Sequence, residues 1–269
     1  MIDRICISIN NHCNLKCDYC HFREKAISES NDMDVSIILN NVISYAQHTF
    51  KVGLVGNGEP LLDFNLMKTY IEQLSASKWV HVYTITNGTI PLKDEDWVFM
   101  EKYNVNVGFS IDGYKELHDK YRDHSFNKAM ENVECYKRVT GHYPTFNATV
   151  GKETVENFDK VIEFFSKFGT RVTFSRMIGK YGISLNNYKD FIDRAEKYIK
   201  VRRGGLDCTM YGGKCGAGQN NFFFANGKVY YCGNCIDMPG IGKSTISFHD
   251  LEKKTFDFDQ NLCYKESLL

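Results

Sequence analysis

The sequence has no excess of either charge: 33 Lys and Arg balance 33 Asp and Glu, so the formal net charge is zero. That balance removes the electrostatic case for a nucleic-acid or anionic-membrane binder, which ordinarily carries a basic face. No apolar run approaches the roughly 20 residues that a membrane helix needs. The N-terminus lacks the charged-then-apolar order of a secretory signal. A cytoplasmic protein that does not enter a membrane is expected. Long low-complexity segments are missing as well, and nothing repeats beyond an alternation of strand-like and helix-like stretches. What remains, 269 residues that are 43% hydrophobic and 25% charged, suffices for one large domain with a small appendage. Cysteine is plentiful at ten residues, which in a reducing compartment points to metal or cluster ligation over disulfides.

Three of those cysteines stand close together in Cys13-Asn14-Leu15-Lys16-Cys17-Asp18-Tyr19-Cys20. Gaps of three and two residues let three sulfurs converge from one loop, and thiolates select iron–sulfur clusters, zinc or copper. A structural zinc site nearly always closes with four ligands, and no fourth lies nearby. The triplet is therefore half of a larger site or a site left open by one ligand.

The strand-like Ile5-Cys6-Ile7-Ser8-Ile9, then Asn10-Asn11-His12 and this C-x3-C-x2-C with Tyr19 before the last cysteine, resembles the radical S-adenosylmethionine (SAM) superfamily. The resemblance implies that Cys13, Cys17 and Cys20 hold a [4Fe–4S] cluster whose fourth iron is chelated by SAM. An electron from the cluster then cleaves the sulfonium to a 5′-deoxyadenosyl radical, which abstracts hydrogen from the substrate. Further segments match in order. Gly56-Asn57-Gly58-Glu59-Pro60 resembles the family's Gly-Gly-Glu-Pro motif, with Asn57 in place of the first of the paired glycines. By that likeness Gly58 and Glu59 recognise the methionyl amino group. Thr84-Ile85-Thr86-Asn87-Gly88 and Val107-Gly108-Phe109-Ser110-Ile111-Asp112-Gly113 resemble pocket-lining strand ends. They put Asn87, Ser110 and Asp112 beside the cofactor, although Asp-Gly is also a common turn pair and Asp112 can equally cap the next segment. His118-Asp119-Lys120-Tyr121-Arg122 resembles a stretch of the peptide-modifying branch and makes Arg122 the candidate partner of the methionyl carboxylate, a fit of guanidinium to carboxylate.

Short β-rich runs at Ile5–Ile9, Val52–Val55, Val80–Thr86, Val105–Ile111, Thr145–Val150 and Arg171–Met177 alternate with helical stretches near 35–48, 65–76, 92–102, 126–139, 155–167 and 187–201. Six βα units imply an α/β fold with a parallel sheet, a partial (β/α)6 TIM-like barrel occupying residues 1–201, with ligand-binding loops at the C-terminal rim. Cys6 on the first strand and Cys135 in a helix read as small buried hydrophobes.

Past Arg202-Arg203-Gly204-Gly205 a second cysteine group begins: Cys208, Cys215, Cys232 and Cys235, with Cys263 farther on. Between them, Asn226-Gly227 flanked by apolar runs predicts a hairpin with a two-residue turn. This Cys-Gly-Ala-Gly, hairpin, Tyr-Cys order resembles the SPASM or shortened Twitch extension of radical SAM enzymes. The resemblance implies that residues 202–269 hold one auxiliary [4Fe–4S] cluster on Cys208, Cys215, Cys232 and Cys235, with Cys263 an alternative to Cys235. A four-cysteine zinc knot is the structural alternative. In sulfatase-maturating enzymes an Asp follows the hairpin cysteine, whereas Gly233 follows Cys232 here, which weighs against that activity; Asp237 is the nearby candidate for a catalytic base.

The expected function is radical SAM modification of a ribosomally made peptide, giving a cross-link, a thioether or a dehydrogenation. Expected partners are the peptide and an electron donor such as flavodoxin or ferredoxin. Twelve residues precede Cys13, so no fused N-terminal peptide-recognition domain is expected, and a separate recognition protein would take that role. Two competing readings are a radical SAM dehydrogenase of a small molecule such as an amino sugar alcohol, and a zinc-stabilised α/β binding module without catalysis.

Overall fold

A computed structural model describes residues 1–20, 22, 33–177, 179–202 and 216–254. Six parallel strands lie in chain order: β1 (Arg4–Ser8), β2 (Phe50–Val55), β3 (Val80–Thr86), β4 (Asn106–Ser110), β5 (Thr145–Val150) and β6 (Arg171–Arg176). Each connection carries helix back across one face: α1 (Val35–Tyr45), α2 (Phe64–Leu74), α3 (Asp94–Lys102), α4 (Lys115–Tyr121), α5 (Phe126–Thr140), α6 (Lys152–Glu156), α7 (Phe158–Ser166) and α8 (Leu185–Ala195). Such βα units can only build a parallel sheet, and the result is the partial barrel that the alternation predicts.

Alternation along the strands sorts the residues between two faces. Ile5 and Ile7, Val52 and Leu54, Val107 and Phe109 turn toward the helices and join the main core. Trp97 of α3 seals it, fully buried with its ring 6.0 Å from Phe109 and edge-on to Tyr136 at 5.3 Å. The other face, the inside of the barrel, holds a smaller cluster of Phe223, Ala225, Tyr230 and Ile236, against which Cys6, Phe22 and Val55 pack.

Several elements differ from the sequence expectation. The last predicted helix ends at Ala195, and Lys200–Val201 instead forms β7 against β6, pairing Lys200 with Arg171. The open edge of β6 offers unpaired backbone groups, and the β-branched Ile199 and Val201 suit a strand. Helix α4 was not anticipated, because seven residues are too few for apolar periodicity to stand out.

The stretch beyond 202 enters the same sheet. β8 (Asn221–Ala225) pairs in parallel with β1, β9 (Lys228–Tyr230) folds back on β8, and β10 (Gly242–Lys243) pairs antiparallel with β9. The predicted turn is present, with Asn226 and Gly227 at φ of 52° and 72°, the left-handed pair that a two-residue hairpin requires. α9 (Phe248–Lys253) closes the described chain by stacking Phe248 on Phe50 at 5.9 Å.

Candidate active site at the rim of the barrel

The cysteine loop leaves β1 at the C-terminal rim and is anchored at every step. Ser8 Oγ donates to the Asn10 carbonyl at 2.9 Å and accepts from the Asn57 amide at 3.2 Å. Asn10 Nδ2 donates to the Glu59 carbonyl at 2.8 Å and to Asp63 Oδ2 at 2.7 Å, and the Glu59 amide returns to the His12 carbonyl at 2.8 Å. Gly58 is required here, since a Cβ on it would stand 1.8 Å from the His12 oxygen. Farther along, the Lys16 amide donates to Asp123 Oδ2 at 3.0 Å and the Asp18 amide to the Tyr121 carbonyl at 2.9 Å.

Cys13, Cys17 and Cys20 are free thiols on this loop, the first exposed and the others half-buried. Cys13 Sγ accepts from the Leu15 amide at 3.5 Å and from Asn87 Nδ2 at 3.8 Å. Burial raises the Cys13 thiol and pushes Cys17 up to about 11, so these two sulfurs stay protonated at neutral pH unless a bound cation favours their thiolates. Among the described residues no three His, Cys, Asp or Glu side chains converge on a single metal ion. An all-sulfur set on one loop, with N–H donors aimed at a sulfur, suits an iron–sulfur cluster, which takes one protein sulfur at each ligated iron.

Glu59 is buried and its carboxylate is occupied by the protein itself. Oε1 accepts from the Leu61 amide at 3.0 Å and Thr86 Oγ1 at 2.7 Å, and Oε2 accepts from the Asn87 amide at 2.7 Å. Burial raises its pKa against the opposing pull of these donors. Glu59 thus clamps the loop after β2 to the end of β3. Asn87 in turn donates to Asn14 Oδ1 at 2.9 Å and accepts from the Thr89 amide at 2.9 Å, while Asn14 Nδ2 donates to Thr89 Oγ1 at 2.7 Å. Asn14, inside the cysteine run, and Thr89, directly after Gly88, carry no assigned role in the sequence reading.

Asp112, at the end of β4, is the hub of the opposite side. Its Oδ2 accepts from Tyr19 Oη at 2.5 Å and Arg122 Nε at 2.8 Å; its Oδ1 accepts from Arg122 Nη2 at 3.2 Å and the Thr149 amide at 2.9 Å. Burial opposes its charge, yet the Arg122 guanidinium and these donors hold the carboxyl below the usual carboxylate range. Arg122 also covers the Tyr19 ring at 5.3 Å. Behind them His118 is fully buried, which pushes its pKa down to about 4. Its Nδ1 accepts from the Asp112 amide at 3.4 Å, and Nε2 lies 3.0 Å from Ser125 Oγ, which donates to the Arg122 carbonyl at 2.6 Å. Those contacts require a neutral ring with its proton on Nε2. Ser110 is buried two residues before Asp112 and shares the inner face with Gly108 by alternation.

Of the second cysteine group, the structure brings Cys232 and Cys235 together, with sulfurs 3.5 Å apart across the 3-10 turn Gly233–Cys235. Cys208, Cys215 and Cys263 lie outside the described residues. Asp237 is exposed in the loop between β9 and β10. Cys6 and Cys135 are half-buried and pack against the apolar clusters, as small hydrophobes do, each with one polar neighbour: Cys6 Sγ lies 3.2 Å from Tyr83 Oη, and Cys135 Sγ lies 3.4 Å from Arg138 Nη2.

An open α/β barrel with a three-thiol loop at its C-terminal rim, braced by a Gly-x-Gly-Glu-Pro turn, defines a cofactor-dependent barrel protein. The Radical SAM superfamily model matches residues 7–165, and the chain belongs to that superfamily. It is 30% identical over 175 residues to the cysteine-type anaerobic sulfatase-maturating enzyme of Clostridium novyi, covering 59% of this chain and 46% of that protein. It is 24% identical to the radical SAM cyclopropyl synthase TigE of Paramaledivibacter caminithermalis, over 89% of this chain and 61% of that one. The chain thus spans about half to three-fifths of these two relatives. Among solved structures, native anSMEcpe with bound AdoMet superposes with a TM-score of 0.77 at 19% identity, covering 98% of this chain and 83% of that one. Streptococcus suis SuiB bound to precursor peptide SuiA gives 0.76 at 14% identity, covering 94% and 65%. These likenesses share the fold, and the family implies SAM and a [4Fe–4S] cluster.

Proposed function

We propose that this protein is a radical SAM enzyme that oxidatively modifies a ribosomally made peptide. The observation that carries the reading is the pairing of the open three-thiol loop at the rim with a second cysteine pair, Cys232 and Cys235, on a hairpin built into the same sheet. Cys13, Cys17 and Cys20 would hold the cluster that binds SAM, and the bound pair supplies a 5′-deoxyadenosyl radical for hydrogen abstraction. Cys208, Cys215, Cys232 and Cys235, with Cys263 the alternative to Cys235, would hold an auxiliary [4Fe–4S] cluster. Ser110 and Asn87 line the pocket in this proposal. Arg122, neutralised on one edge by Asp112, turns its remaining N–H groups to the methionyl carboxylate, and Tyr19 closes the side of the pocket. Glu59 acts by holding the backbone of Leu61 and Asn87 in place, both of its oxygens accepting hydrogen bonds from the protein. The peptide class is supported by relatives and fold neighbours whose names specify sulfatase maturation, cyclopropyl synthesis and a bound precursor peptide. A reduced flavodoxin or ferredoxin would supply the electron.

Anaerobic reconstitution tests the proposal. About eight irons per chain, together with reductive release of 5′-deoxyadenosine, are expected for two four-iron clusters. Peptides encoded beside the gene should lose two hydrogens in a SAM-dependent way by mass spectrometry. Zinc in place of iron, or turnover of polyols alone, would overturn it.

A further inference from the structure

We infer that the polar row on the inner wall of β4 to β6, the Asn147 carboxamide with the Thr173 hydroxyl beside it, holds a main-chain amide in an uncharged stretch of the substrate; this rests on the peptide reading above. Ser110 pairs with Asn147, and Asn147 with Thr173, across three adjacent strands. Phe109, Phe146, Ala148, Val172 and Phe174, which flank them in the chain, belong to the helix-facing core, so alternation turns all three into the barrel. One residue past the Thr86–Phe109 pair on each strand stand Asn87 and Ser110. Asn87 Nδ2 reaches the Cys13 sulfur at 3.8 Å, so the row begins at the cysteine loop and leads away from it. Asn87 and Ser110 line the cofactor pocket in the proposal above. Asn147 and Thr173, two and three strand spacings from Asn87, about 10 and 14 Å, have no role there and fall to the substrate.

Thr149, one inner-face step towards the rim from Asn147, donates its amide to Asp112, which also holds Tyr19 of the cysteine loop. Asn147 therefore lies about 7 Å beneath that hub. Asn147, Thr149 and Ser175 are half-exposed, so solvent reaches this wall of the open barrel. Among the described residues no hydrogen bond holds the side chain of Asn147 or Thr173. The Asn147 carboxamide lies over Gly108, where a Cβ would stand 2.1 Å from Nδ2, so a glycine on the neighbouring strand makes room for it. A carboxamide carries C=O and N–H side by side, the pair that an extended residue presents along one edge, and the two can exchange both hydrogen bonds. Thr173 adds a hydroxyl that donates or accepts. Val55, Ile85, Thr149 and Ser175 on the surrounding inner face are uncharged, so a charged side chain bound here would lose water without gaining a partner.

The test uses the full-length, anaerobically reconstituted protein with SAM and no reductant, and fluorescence anisotropy with a labelled peptide, Thr-Ala-Ser-Ala-Ser-Ala-Thr, beside a series in which each backbone amide in turn is an ester. At least one ester should bind about fivefold more weakly, the effect of one neutral hydrogen bond. Asn147→Leu should level the series, and so should Gly108→Ala, whose methyl group displaces the carboxamide. Asn147→Asp keeps an acceptor and adds a charge. It should bind the peptide carrying Lys at the affected position about tenfold more tightly than the unaltered protein does, a gain that an unfolded variant cannot show. Absence of binding, equal binding across the series, or an ester effect that survives Asn147→Leu would overturn the inference. Failure of 5′-deoxyadenosine release in the unaltered protein would strike the radical reading, whereas the ester series is read from binding and stands apart from it.

Discussion

Asp112 and Arg122 form a buried two-point ion pair, Oδ2 with Nε at 2.8 Å and Oδ1 with Nη2 at 3.2 Å, that spans α4, Asp112 lying before the helix and Arg122 directly after it. The remaining acceptor capacity of Asp112 ties down Tyr19 from the cysteine loop and Thr149 from β5. One carboxylate therefore sets the positions of three separate segments of the rim.

Removing one partner of this pair leaves a buried charge uncompensated, at a cost of about 3–5 kcal/mol. Asp112→Ala should lower the denaturation midpoint accordingly, and iron at the N-terminal site should fall with it. Because the Asp112 carboxyl is held low in the folded protein, its contribution is present above the unfolded-state pKa and is lost as pH falls through the folded one. Asp112→Asn should therefore unfold less steeply in acid than the unaltered protein.

His118 has the opposite residue type but the same sign. Its folded pKa, down to about 4, lies below its ordinary 6.5, so the unfolded chain binds more protons between those values. Stability should decline as pH drops through that window, by a few kcal/mol at most. His118→Gln should flatten the decline in urea titrations at pH values between about 4 and 7.

Gly58→Ala places a methyl group where the His12 carbonyl oxygen sits, 1.8 Å from the new Cβ. Backbone has to move, and it is the backbone that carries Cys13. The expected result is a folded protein whose iron drops from about eight to about four per chain, with 5′-deoxyadenosine release abolished.

Cys232→Ser combined with Cys235→Ser should produce the complementary loss. About four irons should remain on the N-terminal loop, with SAM cleavage retained and peptide oxidation lost. Iron analysis and product mass spectrometry separate this outcome from Gly58→Ala. Retention of all eight irons would reassign the second site.

Phe109→Ala removes a ring that packs against Trp97 and Tyr136 on the helix side of the sheet. A cost of about 3–5 kcal/mol is expected, read as a lower thermal midpoint, with the loop thiols still reactive to iodoacetamide in the folded state.

The six parallel strands were legible because their side chains alternate and their flanking helices are long enough to show an apolar stripe. Helix α4 was not, at seven residues, nor was β7, whose strand state comes from the free edge of β6. The cysteine triplet and the order of the motifs after it were equally plain, since soft ligands at fixed spacing and glycine at a close approach are local requirements. The partners of the acidic motif residues were not. Glu59 and Asp112 read as ligand-facing carboxylates, yet each is filled by donors from elsewhere in the chain, Thr86 and Asn87 for one, Tyr19, Arg122 and Thr149 for the other.

The sequence by itself determined the βα alternation, the spacing of the thiol loop, and the Asn226-Gly227 turn, because each depends on residues within a few positions of one another. Only the tertiary structure decided that the hairpin after residue 216 extends the barrel sheet beside β1 and that Cys6 meets Tyr83. It alone also set Ser110, Asn147 and Thr173 in one row. Those outcomes depend on strand register, which is settled when the helix-facing side chains of Ile5, Val52, Phe109 and Phe146 are buried together and their inner-face neighbours are carried into line.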